Sequence, residues 1–264
     1  MLHTHLPNAP WTMPAQRRLP GIQPLQMGGW LIADEAYPGQ MALRDRLIAE
    51  RRAAVHAEMP GAGEAAAETL KTVLAHLPPG FLRAGDRVTR PDGVTVDLGA
   101  EPPLVTAGRL VQEDLCLLEK PQGAAEHVLT AAILCFPASW TLAEKIGRPL
   151  AAIHIPVAQY DAEMAARVQR LFDGIRPGRP LWRQNALFYG RPDLFAPRPE
   201  AEPRVVPRTR PAYLRSERQC LVRLPETGAV VFSIHTYVLP IAALTPAQIA
   251  ALEEHPVHYA GRVS

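Results

Sequence analysis

At 264 residues the chain is long enough for one large domain or two small ones with a substantial core. Its hydrophobic share of 47% and charged share of 20% are those of a soluble globular protein, and 28 prolines predict many short elements joined by stiff loops. A net charge of +2, with no block of five like charges, demands neither a nucleic-acid partner nor an anionic membrane.

Residues 1–38 are rich in proline and glycine and read as an extended arm, with Trp11 and Trp30 as anchors onto the domain. From Gln40 to Met59, Leu43, Leu47, Ile48, Val55 and Met59 recur at helical spacing, predicting a helix stopped by Pro60-Gly61. Glu64 to Leu77 is a second helix, closed by Pro78-Pro79-Gly80. Turns at Ala84-Gly85-Asp86 and Pro91-Asp92-Gly93 precede a short exposed strand over Val94–Leu98. Leu104 to Leu118 reads as part loop and part helix.

The next stretch organises the chain. Val128 to Phe136 is an apolar run stopped by Pro137, and Trp140 to Ile146 is a short helix with Ser139 as N-cap and Gly147 as its left-handed stop. A second apolar run, Leu150 to Val157, holds one ionisable residue, His154. Both runs read as interior strands. Asp161 to Ile175 is a helix turning Met164, Val168, Leu171 and Phe172 inward, and Leu181 to Tyr189 is a strand. Residues 190–211 carry six prolines and read as a flap that orders against a ligand or partner.

Tyr213 to Val238 reads as a hairpin about a three-residue loop, Glu226-Thr227-Gly228, with glycine in the left-handed position. That register sets Gln219 opposite His235 and Glu217 opposite Tyr237, and gathers Arg215, Glu217, Gln219, Arg223, His235 and Tyr237 on one polar face. Thr245-Pro246 opens a last helix, with threonine as N-cap and proline at the first turn, and a loose tail follows from residue 256. Residues 39–255 thus form one domain between arm and tail.

Cys116, Cys135 and Cys220 stand in apolar contexts and read as buried free thiols of a reducing compartment. No C-x-x-C-H is present, so a covalently attached c-type haem is excluded. No leader and no apolar stretch of ~20 residues is seen, and the expected location is cytoplasmic. His3-x-His5 and His255-x-x-His258 have chelating spacings but no third ligand nearby in sequence. Lys145, at the end of the short central helix, suits the helix dipole. Glycine-rich nucleotide loops are absent. His154 is either a core histidine bonded to a carbonyl or an imidazole kept neutral for a metal. The strand arginines are either a solvated face or partners for carboxylates.

Three segments carry a family resemblance: EDLCLLE (113–119), VLTAAILCFPASWTLAEKIGRPLAAIHIPV (128–157) and RSERQCLVRLPETGAVVFSIHTY (215–237). With them, residues 30–255 resemble the haem-dependent oxidative N-demethylase family. The resemblance implies an α+β fold, a PAS-like antiparallel sheet with helices packed on one side. It implies non-covalent haem b with His154, in the Ile-His-x-Pro-Val context, as the iron ligand. Arg183, Asn185, Arg215, Arg218, Gln219 and Arg223 are then the other cofactor-binding candidates, and Glu217, His235 and Tyr237 the catalytic ones. Two positions depart from the family: Ala186 stands where a tryptophan is usual, and His235 where many relatives have arginine. The implied activity is oxidation of a small secondary or tertiary amine with O2, releasing formaldehyde. Electrons would come from a separate flavin and iron–sulfur reductase, because the chain has no motif for either. A non-catalytic haem or ligand sensor, and a haem-free binding protein on the same scaffold, are the other functions such a fold can serve.

Overall fold

The structure, a computed structural model, describes residues 2–17, 20–154, 162–202 and 211–257. In the arm, Trp11 and Trp30 are buried and a two-residue strand, β1 (Gln23–Pro24), adds to a sheet edge. Helix α1 (Tyr37–Glu50) buries Tyr37, Met41, Leu47 and Ile48. It does not run on to Met59. One turn, α2 (Arg52–Val55), is followed by a strand, β2 (His56–Glu58). The Val55 carbonyl accepts the Leu134 N–H at 2.7 Å, so sheet pairing captures a segment whose helical spacing is only a weak preference.

Helix α3 (Gly63–Ala75) leads into a small meander of β3 (Leu82–Ala84), β4 (Arg87–Thr89) and β5 (Thr95–Asp97). After α4 (Pro103–Gly108) comes β6 (Asp114–Glu119). The DLCLLE segment is therefore a buried strand and not the expected loop and helix, as a continuous apolar run covered on both faces allows. Strand β7 (Val128–Ile133) forms where expected. In the following helix α5 (Leu142–Lys145) the N-cap position falls on Thr141, while Ser139 takes a left-handed φ of 62° in the approach.

The second apolar run is helical as far as it is described, as α6 (Leu150–His154). Two alanines favour helix over strand, and the Ala151 N–H is satisfied by the Glu126 carboxylate at 2.8 Å. The His154 side chain and residues 155–157 lie outside the described residues. Helix α7 (Ala162–Gly174), strands β8 (Leu181–Tyr189), β9 (Tyr213–Arg223) and β10 (Val230–Pro240), and α8 (Pro246–Glu254) complete the chain. In α8 the Thr245 and Gln248 side chains cap each other's backbone N–H groups.

The fold is α+β. Seven strands form one antiparallel sheet in the order β1-β8-β9-β10-β6-β7-β2. Helices cover both faces and not one. On the first face Trp30, Leu115, Leu117, Ile133, Val222 and Val231 pack with Leu47, Ala65, Val73 and Leu104 from α1, α3 and α4. On the second, Cys116, Leu118, Leu129, Ala132 and Leu221 pack with Leu142, Leu150 and Phe172 from α5, α6 and α7.

The hairpin register is shifted by one residue from expectation. Gln219 pairs with Ile234, His235 with Arg218, Glu217 with Thr236 and Tyr237 with Ser216. The loop has four residues, Pro225–Gly228, closed by Leu224 N–H donating to the Ala229 carbonyl at 2.8 Å. Pro225 has no N–H to give to a ladder and falls in the loop. The Glu226 and Thr227 N–H groups then bind the Glu68 carboxylate at 2.7 and 2.8 Å, so α3 fixes the turn. Amphipathicity misleads about the register because both faces are buried, and each carries paired polar groups.

Candidate site on the second face of the sheet

Alternation along β8 and β9 puts Arg183, Asn185, Arg215, Glu217 and Gln219 on the second face, with Arg183 beside Gln219 and Asn185 beside Glu217. Glu217 is the hub. Its carboxylate accepts from Arg215 Nε at 3.1 Å, Gln219 Nε2 at 3.2 Å and Asn185 Nδ2 at 3.4 Å, and its N–H donates to Asn185 Oδ1 at 3.2 Å. Arg215 is buried and spends its other nitrogens on the Phe136 carbonyl (2.6 Å), the Leu194 carbonyl (3.2 Å) and Thr236 Oγ1 (3.5 Å). It fixes Glu217 and closes the corner of the sheet.

Arg183 is different. Its half-buried side chain makes no hydrogen bond to a described residue, and its Nε is buried without a partner. Burial holds the guanidinium below its ordinary pKa, with the Glu217 charge opposing. A buried guanidinium nitrogen left without a partner costs stability. Helix α6 packs on this face through Leu150 and Ile153, so its last residue, His154, is carried over the same side of the sheet. The buried Lys145 Nζ donates to the Ile153 carbonyl at 2.8 Å and to Glu200 at 2.5 Å. It therefore ties α6 to the segment 190–202, whose Ala196 also bonds Pro137 and Ser139.

The remaining candidates are placed elsewhere. Arg218 lies on the first face, donates to the Trp30 and Gly29 carbonyls at 3.0 and 2.5 Å, and covers the Trp182 ring. Arg223 caps the end of α7, binding the Phe172 and Ile175 carbonyls at 2.5 and 2.7 Å and the Gly228 carbonyl at 2.6 Å. His235 and Tyr237 are buried on the first face, separated from Glu217 by the sheet. His235 Nδ1 faces Glu113 Oε1 at 3.1 Å and Nε2 faces Asp34 Oδ2 at 3.0 Å. Burial alone would lower its pKa, but the two carboxylates push it up to about 9. Asp34 and Glu113 lie 201 and 122 residues from His235, and no local spacing announces them. The three cysteines are free and buried, and burial pushes each thiol up.

The second face of the two-sided α+β sheet thus carries a fixed carboxylate, two amides and a half-buried guanidinium without a side-chain partner. The family model for haem-dependent oxidative N-demethylase, alpha subunit-like, matches residues 21–254, and the chain belongs to this family. No helix among the described residues is long and apolar enough to cross a membrane.

Proposed function

We propose that this chain is the haem-carrying part of an oxidative N-demethylase, with the cofactor held on the second face of the sheet. The observation that carries this reading is Arg183, half-buried with its Nε unpartnered beside the Asn185–Glu217–Gln219 cluster, in a chain of this family. A haem propionate is a carboxylate that would satisfy it through a charge-assisted bond. Asn185 and Gln219 would position the same edge of the cofactor, and His154, in the Ile-His-x-Pro-Val context, would supply the axial nitrogen. This is haem b, bound without covalent attachment, since the chain has no C-x-x-C-H. When bound, the haem supplies the redox-active iron for oxidising an N-methyl group. Glu217 is held by three donors and offers a fixed negative charge against which a protonated secondary or tertiary amine docks. The balanced reaction takes a methylamine, O2, two electrons and two protons to the demethylated amine, formaldehyde and water. The two electrons come from a partner with flavin and iron–sulfur centres, a reading supported by the subunit wording of the family's name.

The test is protein produced with haem precursor. A Soret band should appear, His154→Ala should fold but lose or shift it, and added imidazole should restore it. Formaldehyde should form from dimethylamine only with a reductase, and NADPH with this chain alone should give none. An unchanged spectrum in His154→Ala removes that ligand. A haem-loaded protein that turns over no amine with any reductase is a sensor, and failure to take up haem ends the proposal.

A further inference from the structure

Sequence spacing leaves His3 without further ligands, but the fold supplies them. The arm brings His3 and Asp34 against β10 so that Asp34 Oδ2 lies 2.9 Å from His3 Nε2 and 3.0 Å from His235 Nε2. The atoms offered by the three residues lie within 4.8 Å of one another. Tetrahedral zinc, with bonds of about 2.0–2.1 Å, sets neighbouring ligand atoms about 3.3 Å apart. The two separations from Asp34 need to open by only about 0.3–0.4 Å to reach that geometry.

The surroundings hold each donor in orientation. Asp34 Oδ1 accepts from the Ala36 N–H at 3.0 Å and from Gln112 Nε2 at 2.9 Å, leaving Oδ2 to face the imidazoles. His235 has its other nitrogen on Glu113, and His3 Nδ1 lies 3.4 Å from the Val238 carbonyl, to which it donates in the tautomer that frees Nε2, and 3.2 Å from the Val238 N–H. Ligating histidines are ordinarily held this way, with the distal nitrogen on a carboxylate or a backbone group. Glu113 adds an independent sign: it is 1% exposed, and its Oε2 is buried with no hydrogen-bond partner. Arg218, the nearest strand neighbour with a positive charge, is turned to the Gly29 and Trp30 carbonyls. Asp34 and Glu113 thus share the single His235 imidazole within a preformed tripod.

We propose that His3, Asp34 and His235 bind a divalent cation of zinc's chemistry, a structural clasp that fastens the N-terminal arm to β10. Imidazole and carboxylate donors suit zinc over harder cations. Asp34 is only partly buried and leaves an access route and room for a water ligand. The site is on the opposite face from Arg183 and does not depend on haem.

Tag-free full-length protein, loaded with zinc and dialysed, should retain about one equivalent by elemental analysis, and its melting temperature should rise with zinc. Chelator competition should show at least a tenfold weaker affinity in His3→Ala and about 10–100-fold in Glu113→Gln. His5→Ala should change nothing. If wild-type protein retains no zinc and does not melt higher with it, the cluster holds protons only and the proposal falls. Equal zinc retention in the His3→Ala variant, or equal loss in His5→Ala, also overturns it. Should His3→Ala fail to fold, the wild-type titration and Glu113→Gln decide.

Discussion

Two arginines only forty positions apart on the same face of the sheet have opposite expected behaviour. Arg183 has no side-chain partner, so Arg183→Met removes a half-buried charge and should stabilise the haem-free protein by on the order of 1 kcal/mol. The same change should weaken haem uptake about tenfold or more, because a charge-assisted bond is worth about 1.5–3 kcal/mol. Thermal melts and a haem titration of one variant check both signs, and a drop in haem-free stability would count against the anion role. Arg223 has all its directions taken by carbonyls at the end of α7 and in the hairpin loop. Arg223→Met should cost about 1.5–3 kcal/mol in denaturant unfolding and leave haem affinity of the folded fraction unchanged. The family resemblance assigns both arginines to the cofactor, because motif positions cannot show what a guanidinium already holds.

At the scale of elements, α3 governs the hairpin through one carboxylate. Burial would raise the Glu68 carboxyl, but the Thr227 hydroxyl and the Glu226 and Thr227 N–H groups outweigh it and hold it lowered. A carboxyl lowered in the folded state contributes stability above its unfolded value of about 4.3, and that stability is lost as pH falls through the folded value. Glu68→Gln should therefore cost about 1–3 kcal/mol at neutral pH, and a pH series of unfolding curves should show a flatter acid limb than wild type. The variant matters most for the turn that sets the register of β9 and β10. That register decides which strand residues meet Arg183 and which meet Asp34.

Across the whole molecule, the two covered faces divide the chemistry. The arm, with α1, α3 and α4, seals the first face around His235, while α5, α6 and α7 cover the second; the segment 190–202 sends Leu194 and Phe195 to the first-face core. Lys145 links three of these pieces by bonding the Ile153 carbonyl and Glu200. Lys145→Met should loosen the last turn of α6 and the 190–202 segment together. Faster hydrogen exchange is expected in both regions, with the β9–β10 ladder unchanged. In haem-loaded protein the same variant should broaden or shift the Soret band, since His154, the iron ligand proposed above, follows Ile153 directly. A change in exchange confined to residues 190–202 would break the proposed link to α6.

The sequence by itself determined the elements whose signals are local. Strands β7 and β8, helices α3, α7 and α8, the Thr245-Pro246 helix start and the left-handed Gly228 follow from periodicity, capping and turn chemistry. Arg183, Asn185, Glu217 and Gln219 were named as candidates through the family resemblance, and the pairing of β8 with β9 brings them together on one face. The hairpin register, the helical state of Leu150–His154 and the strand at His56–Glu58 were decided by the tertiary structure. In each case a distant group, Glu68, Glu126 or Leu134, completes a backbone hydrogen bond and selects one of two locally acceptable conformations. The same holds for His235, which Asp34 and Glu113 remove from the polar face predicted for it. Buried polar groups must find partners wherever the chain brings them, and only three-dimensional packing says which partners those are.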